Sequence, residues 1–157
     1  MFQALNSHKQ GAEEAPLLSW ARSKRVNRLP KFWRGSVYIV YVAGPFRGAN
    51  NWLIESNVRR AEELALDVWR LGFAAICPHA NTRFFQGAAP DDLWLEGDLA
   101  ILRRCDAVIV TPDWEKSVGA RGEVSEAAKI GIPVFESLGD LWLWRDEKTG
   151  EPINERI

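Results

Sequence analysis

The chain has 157 residues, 46% of them hydrophobic and 26% charged, and a formal net charge of −1. That length supports one domain with a full core, and that charge gives no overall attraction to nucleic acid or an anionic membrane. No apolar stretch approaches a membrane span, no signal-peptide core opens the chain, and the two cysteines, Cys77 and Cys105, lie in or beside apolar runs, so a cytoplasmic protein with free, buried thiols is expected.

Residues 1–36 read as a basic N-terminal extension. They show no sustained periodicity, and Arg22, Lys24, Arg25, Arg28, Lys31 and Arg34 cluster there, with no acid between Glu14 and Glu55. The favoured reading is an arm, partly helical around Leu17–Ala21, that packs on the domain or on a neighbouring subunit. Contact with nucleic acid is expected, if at all, only through the basic stretch 22–34.

From residue 37 apolar runs and helical patterns alternate. Val37–Ala43 is a continuous apolar run rich in β-branched and aromatic residues, as in a strand buried on both faces. A helix over about residues 51–71 follows, with Val58, Ala61, Leu64, Ala65 and Val68 on one face and Gly72 as its stop. Phe73–Cys77 reads as a second strand. A helix over about 91–104 carries Leu95, Leu99 and Leu102 at helical spacing, and Ala107–Val110 is a third strand.

The segment Ser117–Glu123 opens the next helix, with Val124, Ala127 and Ala128 inward and Gly131 as terminator. Pro133–Phe135 reads as a fourth strand and Leu138–Trp144 as a last helical piece. The domain is expected to cover 37–145, followed by a tail, 146–157. The eight tryptophans are expected mostly in the core or an interface.

Strands alternating with helices imply right-handed βαβ units, here a three-layer, doubly wound, Rossmann- or flavodoxin-like parallel sheet of four to five strands. In such sheets ligands bind beyond the carboxyl ends of the strands. Those ends lead into Gly44–Asn51, Pro78–Phe85 and Thr111–Gly119.

The chain has neither a P-loop motif nor a Gly-x-Gly-x-x-Gly after the first strand, which argues against an ordinary NTPase or dinucleotide dehydrogenase. Its two histidines, His8 and His79, form no zinc-type spacing with cysteine, so no metal or cofactor is expected. Ser117, Gly119 and Gly122 instead place a hydroxyl and flexible backbone at a helix N-terminus, where free N–H groups hold an anion. Glu123 reads as a first-turn acid kept ionised by the helix dipole. Glu126, one turn on, competes for the same role but lacks the adjoining glycine loop. Asp98 sits at the border of its helix's apolar stripe, where a solvated flank acid is the plainer reading. Asp106 reads as a partner for nearby backbone.

Together these pieces resemble the nucleoside 2-deoxyribosyltransferase superfamily, and within it the 2′-deoxynucleoside 5′-monophosphate N-glycosidases and their short, phage-type relatives. Four stretches carry the resemblance, over about residues 36–137: Tyr41-x-x-Gly44-x-x-Arg47-Gly48; Asp98-Leu99; Cys105-Asp106-Ala107-Val108-Ile109-Val110; and Trp114-Glu115-x-Ser117-x-Gly119-Ala120-x-x-Glu123.

The resemblance implies cleavage or transfer at the N-glycosidic bond of a (deoxy)nucleoside 5′-monophosphate. Glu123 would be the nucleophile forming a covalent glycosyl-enzyme, and Asp98, with Tyr41, would help orient the sugar and assist the leaving base by proton transfer. Gly44, Arg47, Gly48, Ser117 and Gly119 would bind the substrate. Serine at 117, where relatives acting on free nucleosides carry aspartate, favours a phosphate. Pro45 departs from the serine usual in the monophosphate hydrolases. A homo-oligomer is implied as well, since relatives complete their pocket from an adjacent subunit. The loop with Arg83, Phe84 and Phe85 is the segment expected to cover the base; for Trp52, Trp94 and Trp114 packing is the default reading and stacking on the base the alternative. The alternative is a non-catalytic nucleotide-binding or sensing module of the same fold.

Overall fold

A computed structural model describes residues 37–149, within the unit that begins at Gly35. The readings made for residues 1–36 and 150–157 lie outside the described residues.

The element order is β1 (Ile39–Ala43), α1 (Asn51–Arg70), β2 (Ala74–Ile76), α2 (Pro78–Asn81), α3 (Asp91–Leu102), β3 (Ala107–Val110), α4 (Val118–Ile130), β4 (Val134–Phe135) and α5 (Leu138–Thr149). The strands form one parallel sheet in the order β2-β1-β3-β4. The chain moves outward from β1 to β2, then crosses back to β3, so the strand order reverses between β1 and β3. In a doubly wound sheet that is the position of the ligand crevice.

Side-chain alternation sorts the core into two layers. Val40, Val42, Ala107 and Ile109 point to one face, where α1 and α5 cover them with Ala61, Ala65, Val68 and Leu141. Tyr41, Ala43, Val108 and Val110 point to the other, against Leu102 of α3 and Ala127 of α4. The two strands at the reversal, β1 and β3, are almost wholly buried, which is why they read as unbroken apolar runs. The expected three-layer α/β architecture is the observed one, with four strands among the described residues.

Several details differ from the periodicity. α5 continues to Thr149, five residues beyond Trp144 and past the expected domain end at 145. Ala128 faces outward, since a helix covering a sheet buries only a narrow stripe, and here that stripe runs through Ala120, Glu123 and Ala127. Leu95 is exposed rather than inward. Of the six described tryptophans none is fully buried, and Trp52 and Trp69 are exposed. Helix α4 ends where Gly131 takes the left-handed conformation, φ 78°, that a side chain would resist.

Candidate active site

At the reversal point β1 presents Tyr41 to the α3/α4 face. The tyrosine is fully buried, and its hydroxyl donates to Glu123 Oε1 at 2.6 Å. Glu123 is itself only 8% exposed, and its second oxygen, Oε2, has no hydrogen-bond partner among the described residues. Burial raises the Glu123 carboxyl from 4.5 to about 7; the Tyr41 hydrogen bond pulls it down, and the charge of Asp98 pushes it up.

Asp98, half-buried on α3, is raised to about 6 by desolvation. Its charge is also felt by the Tyr41 hydroxyl, which burial and Glu123 push far above its ordinary value. Tyr41, Asp98 and Glu123 therefore share one electrostatic environment. Helices α3 and α4, which pack against each other, bring the two acids there.

One expectation is corrected. Helix α4 begins at Val118, so Glu123 is its sixth residue and the first turn holds no acid. Beyond the first turn the helix dipole fades, and desolvation governs instead: the carboxyl is held toward its neutral form. The competitor Glu126 is turned aside, bound by Arg103 of α3 at 2.7 Å. Asp106 accepts the Ile39 N–H at 2.7 Å and serves the start of β1.

Ser117 is the N-cap of α4, its Oγ accepting from Ala120 N at 3.3 Å. The hydroxyl hydrogen is left to donate outward, because a hydroxyl can accept and donate together. A Cβ built at Gly119 would sit in ordinary contact, 3.8 Å from Ser117 Oγ and from Leu95 of α3. The exposed Arg47 pairs with Asp91 at the start of α3. An incoming anion would have to take Arg47 from that carboxylate.

The loop after β1 is tightly set. A Cβ at Gly44 would lie 2.2 Å from Thr111 Oγ1, a buried hydroxyl without a partner at the end of β3. At Gly48 it would lie 2.5 Å from Leu53 Cβ. Glycine is needed at both for close approach.

Two residues the sequence reading did not assign to the site hold this loop. Buried His79 places Nε2 at 3.2 Å from Gly44 O and 3.1 Å from Pro45 O. Asn57 of α1 donates Nδ2 to Phe46 O at 3.3 Å and Arg47 O at 2.9 Å. Asn57 had a legible signal, being a polar residue on the apolar stripe with Ala61 and Ala65. His79 follows Pro78 in a four-residue helix and had none.

In the loop before α3 the side chains go separate ways. Arg83 is bound by Glu55 and Glu62 of α1, and Phe84 is 86% exposed. Of the aromatic candidates, Trp114 packs on the core and Trp52 is 78% exposed. Trp94, one turn before Asp98 on α3, lies 5.5 Å from the Phe85 ring and has a buried Nε1 without a partner. A shallow groove elsewhere, lined by Leu66, Trp69 and Cys77 along α1 and β2, contains none of these groups. Among the described residues Cys77 and Cys105 are free and buried, no cluster of three His, Cys, Asp or Glu side chains suits a metal, and no helix is long and apolar enough to cross a membrane.

Fold and site define a parallel α/β protein with a buried, tyrosine-bound carboxylate at the point where its strand order reverses. The chain belongs to the family described as Domain of unknown function (DUF7768), whose model matches residues 38–137. The match begins at β1 and closes after β4, so Tyr41, Asp98, Ser117 and Glu123 all lie inside it. No curated protein matches the chain.

Proposed function

We propose that the protein cleaves, or transfers across, the N-glycosidic bond of a (deoxy)nucleoside 5′-monophosphate, in keeping with the likeness to nucleoside 2-deoxyribosyltransferases. The observation that carries this reading is the disposition of Glu123. Tyr41 occupies Oε1, and Oε2 is buried, without a partner among the described residues, and within reach of the charge of a second carboxyl group, Asp98. A buried carboxylate oxygen left without a hydrogen bond is costly unless a ligand supplies its partner.

In the proposed reaction Glu123 Oε2 attacks C1′. The C1′–N bond breaks, its electron pair leaves with the base, and the base takes a proton from Asp98. Water or a second base then attacks C1′, gives its proton to Asp98 and displaces the Glu123 carboxylate. This follows the two-carboxyl logic of retaining glycosidases, with an oxocarbenium-like transition state between the groups. Ser117, Gly119, Gly44, Arg47 and Gly48 hold the substrate, the phosphate lying toward the N-terminus of α4.

The exposed apolar side chains Leu95, Val118, Phe84 and Trp52 near the same end of the sheet support a homo-oligomer, which size measurement in solution tests. Free buried thiols suit a reducing, cytoplasmic setting.

The test is incubation with a panel of nucleotides and nucleosides, with detection of free base. Glu123→Ala is expected to abolish release while leaving fold and nucleotide affinity largely intact; release that persists would remove Glu123 as nucleophile. A second reading, a nucleotide-binding or sensing module, is favoured by one observation. Burial pushes both Glu123 and Asp98 up, toward their neutral forms. Attack needs Glu123 ionised. Nucleotide binding by calorimetry without release of base would select that reading.

A further inference from the structure

The carbonyls of Gly44, Pro45, Phe46 and Arg47 are four in succession, and two buried side chains accept the task of satisfying all of them. Carbonyl oxygens only accept, so His79 Nε2 carries the ring proton and donates to both of its partners. Asn57 donates through Nδ2, and its orientation is fixed by Arg60, whose Nη2 donates to Asn57 Oδ1 at 2.5 Å. Both donors stand on the side of β1 covered by α1 and α2, whereas Tyr41 and Glu123 lie on the α3/α4 side.

A trans peptide unit points its C=O and N–H in opposite directions. With the carbonyls of Pro45, Phe46 and Arg47 drawn to His79 and Asn57, the N–H groups of Phe46, Arg47 and Gly48 point away from the clamp. No acceptor among the described residues meets them. Successive backbone N–H groups facing one way form a concavity suited to an anion.

We infer that His79 and Asn57 are positioning residues: by holding the carbonyl side of the β1–α1 loop they aim the amides of Phe46, Arg47 and Gly48 at the anionic group of the substrate. The inference rests on the proposed reading for the identity of that substrate, but the loop's response to a simple anion does not depend on turnover. Neither residue touches the reacting atoms. Their loss weakens anion recognition and leaves recognition of the uncharged remainder of the substrate in place.

The experiment is amide NMR on the full chain, titrated with inorganic phosphate, then with a nucleoside 5′-monophosphate and the matching nucleoside. In the wild type, phosphate and monophosphate shift the amides of Phe46, Arg47 and Gly48, and the nucleoside does not. His79→Phe keeps a ring against Phe46 but removes the donor, and Asn57→Leu removes the other; each is expected to weaken phosphate binding about tenfold, the scale of one lost buried hydrogen bond. Nucleoside affinity should stay within about twofold, which general unfolding would not spare.

Because both sites are buried, Arg60→Met, a half-exposed change that frees the Asn57 amide, serves as a third variant with an expected loss of about threefold. Arg59→Met, removing the same charge from the adjoining position, should change nothing. Absence of phosphate shifts at residues 46–48 in the wild type, or equal phosphate affinity in the folded variants, overturns the clamp even if base is released. Phosphate shifts that the variants abolish, without release of base from any nucleotide, sustain the clamp and remove the proposed reaction.

Discussion

The Tyr41 hydroxyl donates to Glu123 Oε1 at 2.6 Å, joining two residues 82 positions apart. One is the middle of the central strand β1 and the other lies in the second turn of α4. The bond does two things. It opposes the desolvation that would otherwise push the glutamate further toward its neutral form, and it fixes which carboxylate oxygen remains free.

That dual role predicts the effect of Tyr41→Phe. The ring still fills its place in the α3/α4-side core, so the fold should survive, but the hydrogen bond it donates to Glu123 Oε1 is gone. Glu123 then titrates above 7, the ionised fraction at neutral pH falls, and the alkaline limb of the rate profile, which lies at the higher of the two pKa values, moves upward. A shift of one pH unit would lower the rate at pH 7 by several-fold to about tenfold. A pH–rate comparison of the two proteins checks it, and an unmoved limb would mean that Tyr41 does not govern this carboxyl.

The pair itself sets a pH optimum. Reaction needs Glu123 ionised and Asp98 protonated, yet Glu123 titrates at about 7 and Asp98 at about 6. The productive form is therefore a minor one, most populated between those values. We expect a bell-shaped profile of kcat/KM centred between pH 6 and 7, whose limbs report the pair and not either acid alone. Asp98→Asn should lower the rate by about 10²–10⁴, as for other positioned acids. It should also let Glu123 ionise at lower pH, because the Asp98 charge is one cause of its upward shift. A flat profile between pH 5 and 8 would speak against both roles.

The fold was legible because its central strands are buried on both faces. Val40, Val42, Ile109 and Val108 had to be apolar whichever way they pointed, and the runs they make cannot be mistaken. The same simplicity concealed the site. Tyr41 lies inside such a run and reads as one more core residue, and nothing local to Glu123 shows that it will be desolvated. The helix start was read one turn too generously, which made the dipole seem to rule an acid that burial rules. Ser117 as a cap was readable from its type and position. The His79 contacts were not, since they depend on α2 folding back beside the end of β1.

Burial of Glu123 also predicts a stability signature. Its folded pKa is raised from 4.5 to about 7, so the folded state favours the neutral acid. That contribution is complete below about pH 4.5 and is lost as pH rises through 7. Glu123→Gln is neutral throughout, so relative to the wild type it should grow more stable from acid to alkaline pH, by on the order of 3 kcal/mol in total. Urea unfolding at pH 4.5 and pH 8.5 measures the difference. A gap independent of pH would show that the carboxyl titrates normally. Asp98, raised in the same direction by desolvation, is present in both proteins, so its own burial cancels and only its coupling to Glu123 enters the difference.

Ser117→Asp separates a phosphate-binding role from a purely structural one. Aspartate caps a helix as well as serine does and suits the positive end of the dipole, so the Ala120 N–H remains satisfied and stability should hold or rise slightly. What changes is charge at the N-terminus of α4. A carboxylate there repels a dianionic phosphate while accepting a hydrogen bond from a free 5′-hydroxyl. The variant is expected to lose at least about tenfold in monophosphate affinity, given a like-charge cost on the order of 1–2 kcal/mol near the surface. Affinity for the corresponding nucleoside should be kept or improved. Calorimetric titration of both ligands measures the ratio directly; if it does not change, the phosphate lies away from the first turn of α4 and Ser117 serves only as its cap.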